Sequence, residues 1–446
     1  MQTTYKRLLQ DDILPSKMPD VRLLRSYLQA GCPSGDPICL SFGETWTQAP
    51  AELTQEINRP AQESHGYQLS MYGLPELRSV LKRYIIEDHQ VPASAVEAQR
   101  LEVAVTWSGT RGSMFDLGRY LLARPPAGDT RAPVVLSTGP SWDYTGVYQP
   151  LGFGFRYLSL RPQNGFRPDA AELDGLVTEL ERSPRERLAL TIINAQHNPT
   201  AVNWDPDFIR AAIRRTWAAG GTVLLDDAYY RVHVPDCTPT SSLRILLEEL
   251  EHTPEARHRW LMVRSLGKQF HANGWGLGAL VGAPDTVDIM VNELRVAHQL
   301  MYGGILQEAM ARFLASPKSG RFLREQQLAW RDKRACAVRT LESGLCYPSE
   351  RIHPGTCTSY MLFAVPEVYT GLPLGVQAFR DDVFRATGVL LAPAWPWPWE
   401  TQVPFPIPYV RMFLGPAEDL IQTALERMVA AGFRYDMRKR LDTRAA

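Results

Sequence analysis

Leu261-Met262-Val263-Arg264-Ser265-Leu266-Gly267-Lys268 opens as an apolar run and closes on a lysine, and Gly274-Trp275-Gly276-Leu277-Gly278 follows it. Leu261–Val263 reads as a short buried strand, which sets Lys268 in the loop beyond its carboxyl end. A lysine in that position is costly to bury unless it is neutralised or used covalently. Desolvation lowers an amine's pKa and makes it a nucleophile toward an aldehyde. Ser-x-x-Lys alone is a weak signal, and by itself a surface lysine in a loop is the better explanation. Composition makes the residue stand out, because only seven of the 48 basic residues are lysines.

On both sides of this stretch strands alternate with helices. Leu101–Thr106, Val134–Ser137, Arg156–Leu160, Leu188–Ile193, Val223–Leu225 and Gly278–Val281 are short, apolar and bounded by turn residues. Met114–Leu122 and Phe208–Ala219 carry helical periodicity between them. The pattern predicts an α/β fold with a mostly parallel sheet flanked by helices. Thr286–Leu300, Leu306–Leu314 and Phe322–Leu345 read as helices. From Ser359 the pattern is mixed, with strands at Met361–Ala364 and Tyr409–Leu414 and helices at Val376–Thr387 and Glu418–Ala431, as in a smaller α+β domain. The expected division is an N-terminal arm over 1–55 joining the small domain, a large domain over 56–310 and a small C-terminal domain over 311–446.

Composition narrows the function classes. Acidic and basic residues balance at 48 each with no long basic run, which argues against nucleic acid or an anionic membrane surface as partner. No stretch has the apolar length of a membrane span, and the first residues lack the core of a signal peptide, so a cytoplasmic protein is expected. The six cysteines are irregularly spaced, and no histidine pattern suggests a metal site.

Ligands of such sheets bind beyond the strands' carboxyl ends, and the remaining motifs sit there. Asp226 and Tyr229 end the strand Val223–Leu225; a carboxylate there can keep a pyridine nitrogen protonated, and a turn acid with a packing tyrosine is the plain alternative. Asn198 in His197-Asn198-Pro199-Thr200 is either a donor to the same ligand or part of a common Asn-Pro turn. Gly109-Thr110-Arg111-Gly112 joins a strand to a helix, where free N–H groups favour a phosphate. Trp142, in Pro140-Ser141-Trp142-Asp143-Tyr144, offers a flat face to a ring or simply fills the core.

In order and spacing these motifs resemble the fold-type I pyridoxal-phosphate enzymes, and among them the class I/II aminotransferase family. The resemblance runs from Leu40-Ser41-Phe42-Gly43-Glu44 through Tyr72-Gly73-Leu74-Pro75-Glu76-Leu77-Arg78 to Tyr409-Val410-Arg411. It implies pyridoxal 5′-phosphate as cofactor, an amino acid as substrate and a homodimer with active sites at the interface. By the same resemblance Gly109, Thr110, Arg111 and Ser265 hold the phosphate and Trp142 stacks on the ring. Asn198 and Tyr229 contact the phenolic oxygen, Asp226 pairs with the ring nitrogen, and Lys268 forms the Schiff base. Arg411 binds the substrate carboxylate bidentately, with Gly43 nearby.

The sequence departs from the family at three places. The arginine usual inside Gly-Trp-Arg-Leu-Gly is Gly276, and Arg111 is the residue placed to replace it. Asn-Pro-x-Gly ends in Ala201, and the stretch before the last strand is a Trp/Pro-rich run from Ala392 through Trp395, Trp397 and Trp399 to Pro408. That run either lines a pocket for a bulky or cationic substrate, with Trp395 in contact, or is a packed surface loop. Tyr67 and Tyr72 both lie near the family's tyrosine that crosses to a neighbouring subunit, and the sequence does not choose between them. Transfer of an amino group to a 2-oxo acid is the expected reaction. The alternative is β/γ-elimination, replacement or cyclisation, on an S-adenosylmethionine-type substrate in secondary metabolism. A non-catalytic sensor is disfavoured, since about fifty residues before the match are few for a DNA-binding domain plus linker.

Overall fold

The short apolar runs form one seven-stranded sheet in the computed structural model, which describes residues 2–9, 18–42, 45–372, 374–395 and 405–440. In chain order the strands are β1 Glu102–Thr106, β2 Ala132–Gly139, β3 Gly154–Ser159, β4 Glu186–Ile193, β5 Thr222–Asp226, β6 Trp260–Ser265 and β7 Gly278–Gly282. Their order across the sheet is β1-β7-β6-β5-β4-β2-β3. The pairs β6–β5, β5–β4, β4–β2 and β2–β3 are parallel, and β7 runs antiparallel to both neighbours. The mostly parallel α/β sheet is the one the sequence predicts. Alternate residues explain why its strands are apolar throughout: Val223 and Leu225 enter one hydrophobic cluster and Leu224 the opposite one.

Helices cover the sheet, among them α1 Gly109–Ala123 after β1 and α2 Pro206–Ala218 before β5. Asp205 starts α2 by accepting the Asp207 N–H, with Pro206 at the first helical position. The helix expected over 286–300 is shorter. An α-helical turn, Pro284–Asp288, widens into a π-helical stretch, Ile289–Arg295. There Arg295 is drawn inward, donating to the Val105 carbonyl at 2.8 Å and lying over the Trp107 ring. Helix α3, Pro317–Ser343, begins five residues earlier than its apolar pattern suggests, because Ser316 caps it by accepting the Lys318 N–H.

Beyond α3, β8 Ile352–His353, β9 Tyr360–Ala364, β10 Ala392–Pro393 and β11 Tyr409–Phe413 form a second, antiparallel sheet in the order β10-β11-β9-β8. Helices α4 Gly375–Thr387 and α5 Glu418–Ala430 pack with it around Phe363, Val383, Met412 and Leu425. Near the N-terminus, Ile38–Cys39 pairs in parallel with Val389–Leu390, and the Leu40 carbonyl accepts the Phe413 N–H at 2.8 Å. This stretch therefore lies against β11 next to Arg411. Among the described residues no helix is long and apolar enough to cross a membrane.

Candidate active site

Strands β1, β2, β4, β5 and β6 deliver their carboxyl ends to one side of the large sheet. There a cavity of about 220 Å³ opens. Gly109, Thr110 and Arg111 line it after β1, Trp142 after β2, Asn198 after β4, Asp226 and Tyr229 at the end of β5, and Ser265 and Lys268 at the end of β6. All nine positions expected to meet a cofactor thus share one cavity, drawn from five separate segments.

Asp226 is the buried charge of this cavity. The Tyr144 hydroxyl donates to its Oδ2 at 2.6 Å, whereas Oδ1 is buried without a hydrogen-bond partner. Burial pushes the carboxyl up to about 6, against the Tyr144 hydrogen bond that favours its ionised form. Tyr144 stands in the stretch that carries Trp142, but nothing in its sequence setting distinguishes it from a core tyrosine. Asn194 ties the neighbouring loop to β5: its Nδ2 donates to the Asp226 carbonyl at 2.7 Å and its Oδ1 accepts the Asn198 N–H at 2.8 Å. His197 is held neutral, its pKa lowered to about 3 by burial, between Thr138 and Thr200.

Asn198 and Arg411 meet across the two sheets. Arg411 donates through Nη1 to Asn198 Oδ1 at 3.0 Å and through Nη2 to the Ser41 carbonyl at 2.8 Å, and its Nε is buried without a partner. With Oδ1 engaged, the Asn198 amide keeps its NH₂ to donate elsewhere. Under the Arg411 guanidinium, 4.2 Å away, lies the ring of Tyr360, whose oxygen accepts from the Tyr229 hydroxyl at 3.2 Å. Burial opposes ionisation of the Tyr360 phenol, but the Arg411 and Lys268 cations outweigh it and hold its pKa below the ordinary value. Burial pushes the Tyr229 phenol well up, and the neighbouring Tyr360 adds to the shift. Sequence reasoning missed Tyr360: it reads as one more apolar residue of a strand, and its neighbours come from distant segments.

The glycine turn closes the other end. The Gly109 N–H donates to the Gly276 carbonyl at 2.8 Å. Gly276 has φ +65°, and a Cβ there would stand 2.8 Å from the Trp107 carbonyl oxygen. Arg111 lies 4.4 Å over the Trp142 ring and pairs with Asp143 at 2.9 Å. Trp395 does not line this cavity. It lines an adjacent apolar one of about 360 Å³ with Phe405, and both rings pack on Gly139 at the end of β2. Gly43, Trp397 and Trp399 lie outside the described residues. Tyr72 is tied by its hydroxyl to Asp288 and Asn292, while Tyr67 is 74% exposed.

These residues fit pyridoxal 5′-phosphate. The unpartnered Asp226 Oδ1 suits a ring N–H⁺, Lys268 an aldehyde, the Asn198 amide a phenolic oxygen, and the α1 N-terminus a phosphate.

Comparison with known proteins gives the family and the fold. The model of the family described as "Aminotransferase class I and II" matches residues 42–344. The aspartate aminotransferase of Sulfurisphaera tokodaii is 21% identical over 87% of this chain and 88% of its own. The methionine aminotransferase of Escherichia coli is 28% identical over 64% of this chain and 66% of its own. Among solved structures, aspartate aminotransferase from Thermus thermophilus with maleate superposes with a TM-score of 0.74 at 20% identity, covering 96% of this chain and 98% of its own. Substrate-bound BacF from Bacillus subtilis superposes at 0.75 and 17% over the same shares. At these identities the superpositions show the fold.

Proposed function

Because the chain belongs to the class I and II aminotransferase family, whose cofactor is pyridoxal 5′-phosphate, we propose that it transfers the amino group of an amino acid to a 2-oxo acid. The observation that carries this reading is the gathering of Lys268, Asp226, Tyr229, Asn198 and the Gly109–Arg111 turn around one cavity. When bound, the cofactor supplies an electron sink conjugated to the substrate α-carbon. Asp226 holds a proton on the ring nitrogen, a task for which a buried carboxylate oxygen without a partner is suited. Lys268 would hold the cofactor's aldehyde carbon, and its amine, when free, is the general base placed to take the substrate α-proton. Asn198 donates its free NH₂ to the phenolic oxygen. Arg411 grips the α-carboxylate, its fork oriented by Asn198, the Ser41 carbonyl and the Tyr360 ring.

The test is a half-reaction. Adding an amino acid to the coloured holoprotein bleaches the visible band to a pyridoxamine-type spectrum, and a 2-oxo acid restores it. Lys268→Ala loses at least about 10³-fold in turnover. Persistent colour with no exchange of amino groups contradicts amino transfer and moves elimination or replacement ahead.

The reading extends to a homodimer. Tyr67, Leu69, Leu300 and Met301 are 74%, 94%, 52% and 67% exposed. The two segments touch, Tyr302 donating to the Ser70 carbonyl at 3.0 Å, and Gln299 reaches Ser108 at the start of α1. An apolar patch continuous with the cavity rim suits a second copy of the chain. Light scattering that finds a monomer overturns it.

A further inference from the structure

We propose that Arg111 supplies the positive charge that neutralises the cofactor phosphate, in place of the arginine that position 276 cannot carry. The inference rests on the cofactor assignment above and concerns this chain's own departure from its family.

Position 276 is closed to a side chain on two grounds. Its φ of +65° is strained for any residue but glycine, and its Cβ would press on the Trp107 carbonyl oxygen at 2.8 Å and lie 3.3 Å from the Gly109 nitrogen. The Gly276 backbone is instead part of the turn itself, its carbonyl accepting the Gly109 N–H at 2.8 Å. That bond removes one of the donors a phosphate would otherwise find at the start of α1.

The charge must therefore come from elsewhere. Among the described residues, the cations lining the cavity are Lys268 and Arg111. Lys268 is committed to the aldehyde carbon. Arg111 sits in the first turn of α1, two residues after Gly109, at the end of the cavity where Gly109, Thr110 and Ser265 also lie. Its side chain is oriented rather than loose: one nitrogen bonds Asp143 Oδ2 at 2.9 Å and the guanidinium carbon stacks 4.4 Å over Trp142. A planar fork fixed on one edge by a carboxylate keeps donors on its other edge for a phosphate oxygen. The same Asp143 also accepts the Gly146 N–H at 2.9 Å, which holds it in place.

The test separates phosphate recognition from ring recognition. The full-length chain is stripped of cofactor and titrated in parallel with pyridoxal 5′-phosphate and with pyridoxal, followed by visible absorbance. Arg111→Met weakens the phosphorylated ligand about 10- to 100-fold, as loss of a charge-assisted hydrogen bond does, and leaves pyridoxal affinity unchanged. Arg111→Lys recovers part of the loss. Wild-type affinity for pyridoxal 5′-phosphate in Arg111→Met overturns the proposal and assigns the charge to another source, such as a partner subunit. Equal loss for both ligands also overturns it, since Arg111 would then act on the ring through Trp142. If the wild-type chain binds neither ligand, the cofactor assignment itself fails, which the Arg111 variants cannot mimic.

Discussion

Asp226 and Asp227 are neighbours at the end of β5, yet they enter opposite environments. Asp227 turns away from the cavity toward Arg264 and His89, whose nitrogens lie 3.7 and 3.1 Å from its Oδ2. Arg264 is wholly buried and also pairs with Asp88. Asp226 turns into the cavity, where its side chain meets the neutral Tyr144 hydroxyl and, among the described residues, no cation pairs with it. One acid came with its counter-charge; the other was left to acquire one. A buried carboxylate that the Lys268 cation steadies only from beyond pairing distance is unfavourable in the cofactor-free protein, so its retention makes sense where a bound group brings a closer charge. A protonated ring nitrogen is such a group.

That contrast can be broken from either side. The largest effect is expected on the closed side. Arg264→Met takes its guanidinium from buried Asp227, which is left with His89, and from Asp88, which keeps Arg231 at 3.4 Å; it lowers unfolding free energy by about 3 kcal/mol, measured by denaturant melts of the cofactor-free chain. A loss comparable to that of a surface substitution would remove the difference between the two acids.

Asp226→Asn gives the opposite pattern. It reduces turnover about 100-fold by withdrawing the charge from the ring nitrogen, while the cofactor-free protein becomes more stable at neutral pH. The sign follows from the raised carboxyl. With a folded pKa of about 6 against the usual carboxylate value of 3.8, the folded state binds the proton more tightly. Its contribution is therefore fully present below about pH 4 and lost as pH rises through about 6. The cofactor-free wild type loses up to about 3 kcal/mol over that range relative to Asp226→Asn. Parallel melts from pH 4 to 7 check it; curves that stay parallel contradict it.

Tyr144→Phe is the mildest change. It removes one hydrogen bond from Asp226 Oδ2, worth about 1–2 kcal/mol, and lets the carboxyl protonate more readily. The acid limb of the pH–rate profile moves to higher pH, and activity at the plateau is retained. An unmoved limb would show that Tyr144 merely packs.

Much of this was legible in the sequence, for reasons that differ by feature. The sheet could be read because strands buried on both faces are continuous apolar runs, as in Val223–Leu225. The cavity could be read because parallel strands put their carboxyl ends together, so Asp226, Asn198 and Lys268 had to converge. Tyr144 and Tyr360 could not. Each acts through one oxygen set opposite a residue far away in the chain, Asp226 and Tyr229 respectively, and local sequence carries no sign of that pairing. Gly276 was visible as a departure, but its reason, a positive φ and a close carbonyl, exists only in three dimensions. The widened helix over 289–295 was also hidden, since helical periodicity does not distinguish an α-helix from a π-helical stretch anchored inward by Arg295. For Trp395 the sequence left a substrate pocket and a packed loop both open, and its place beside Phe405 in a second cavity could not be read from its aromatic neighbours.

The most direct measurement is chemical labelling of the holoprotein. Reduction with borohydride, digestion and mass spectrometry should place the cofactor's added mass on the peptide bearing Lys268. Seven lysines in the chain make the assignment unambiguous. The label on any other lysine, or an unmodified Lys268 in a coloured protein, would contradict the account.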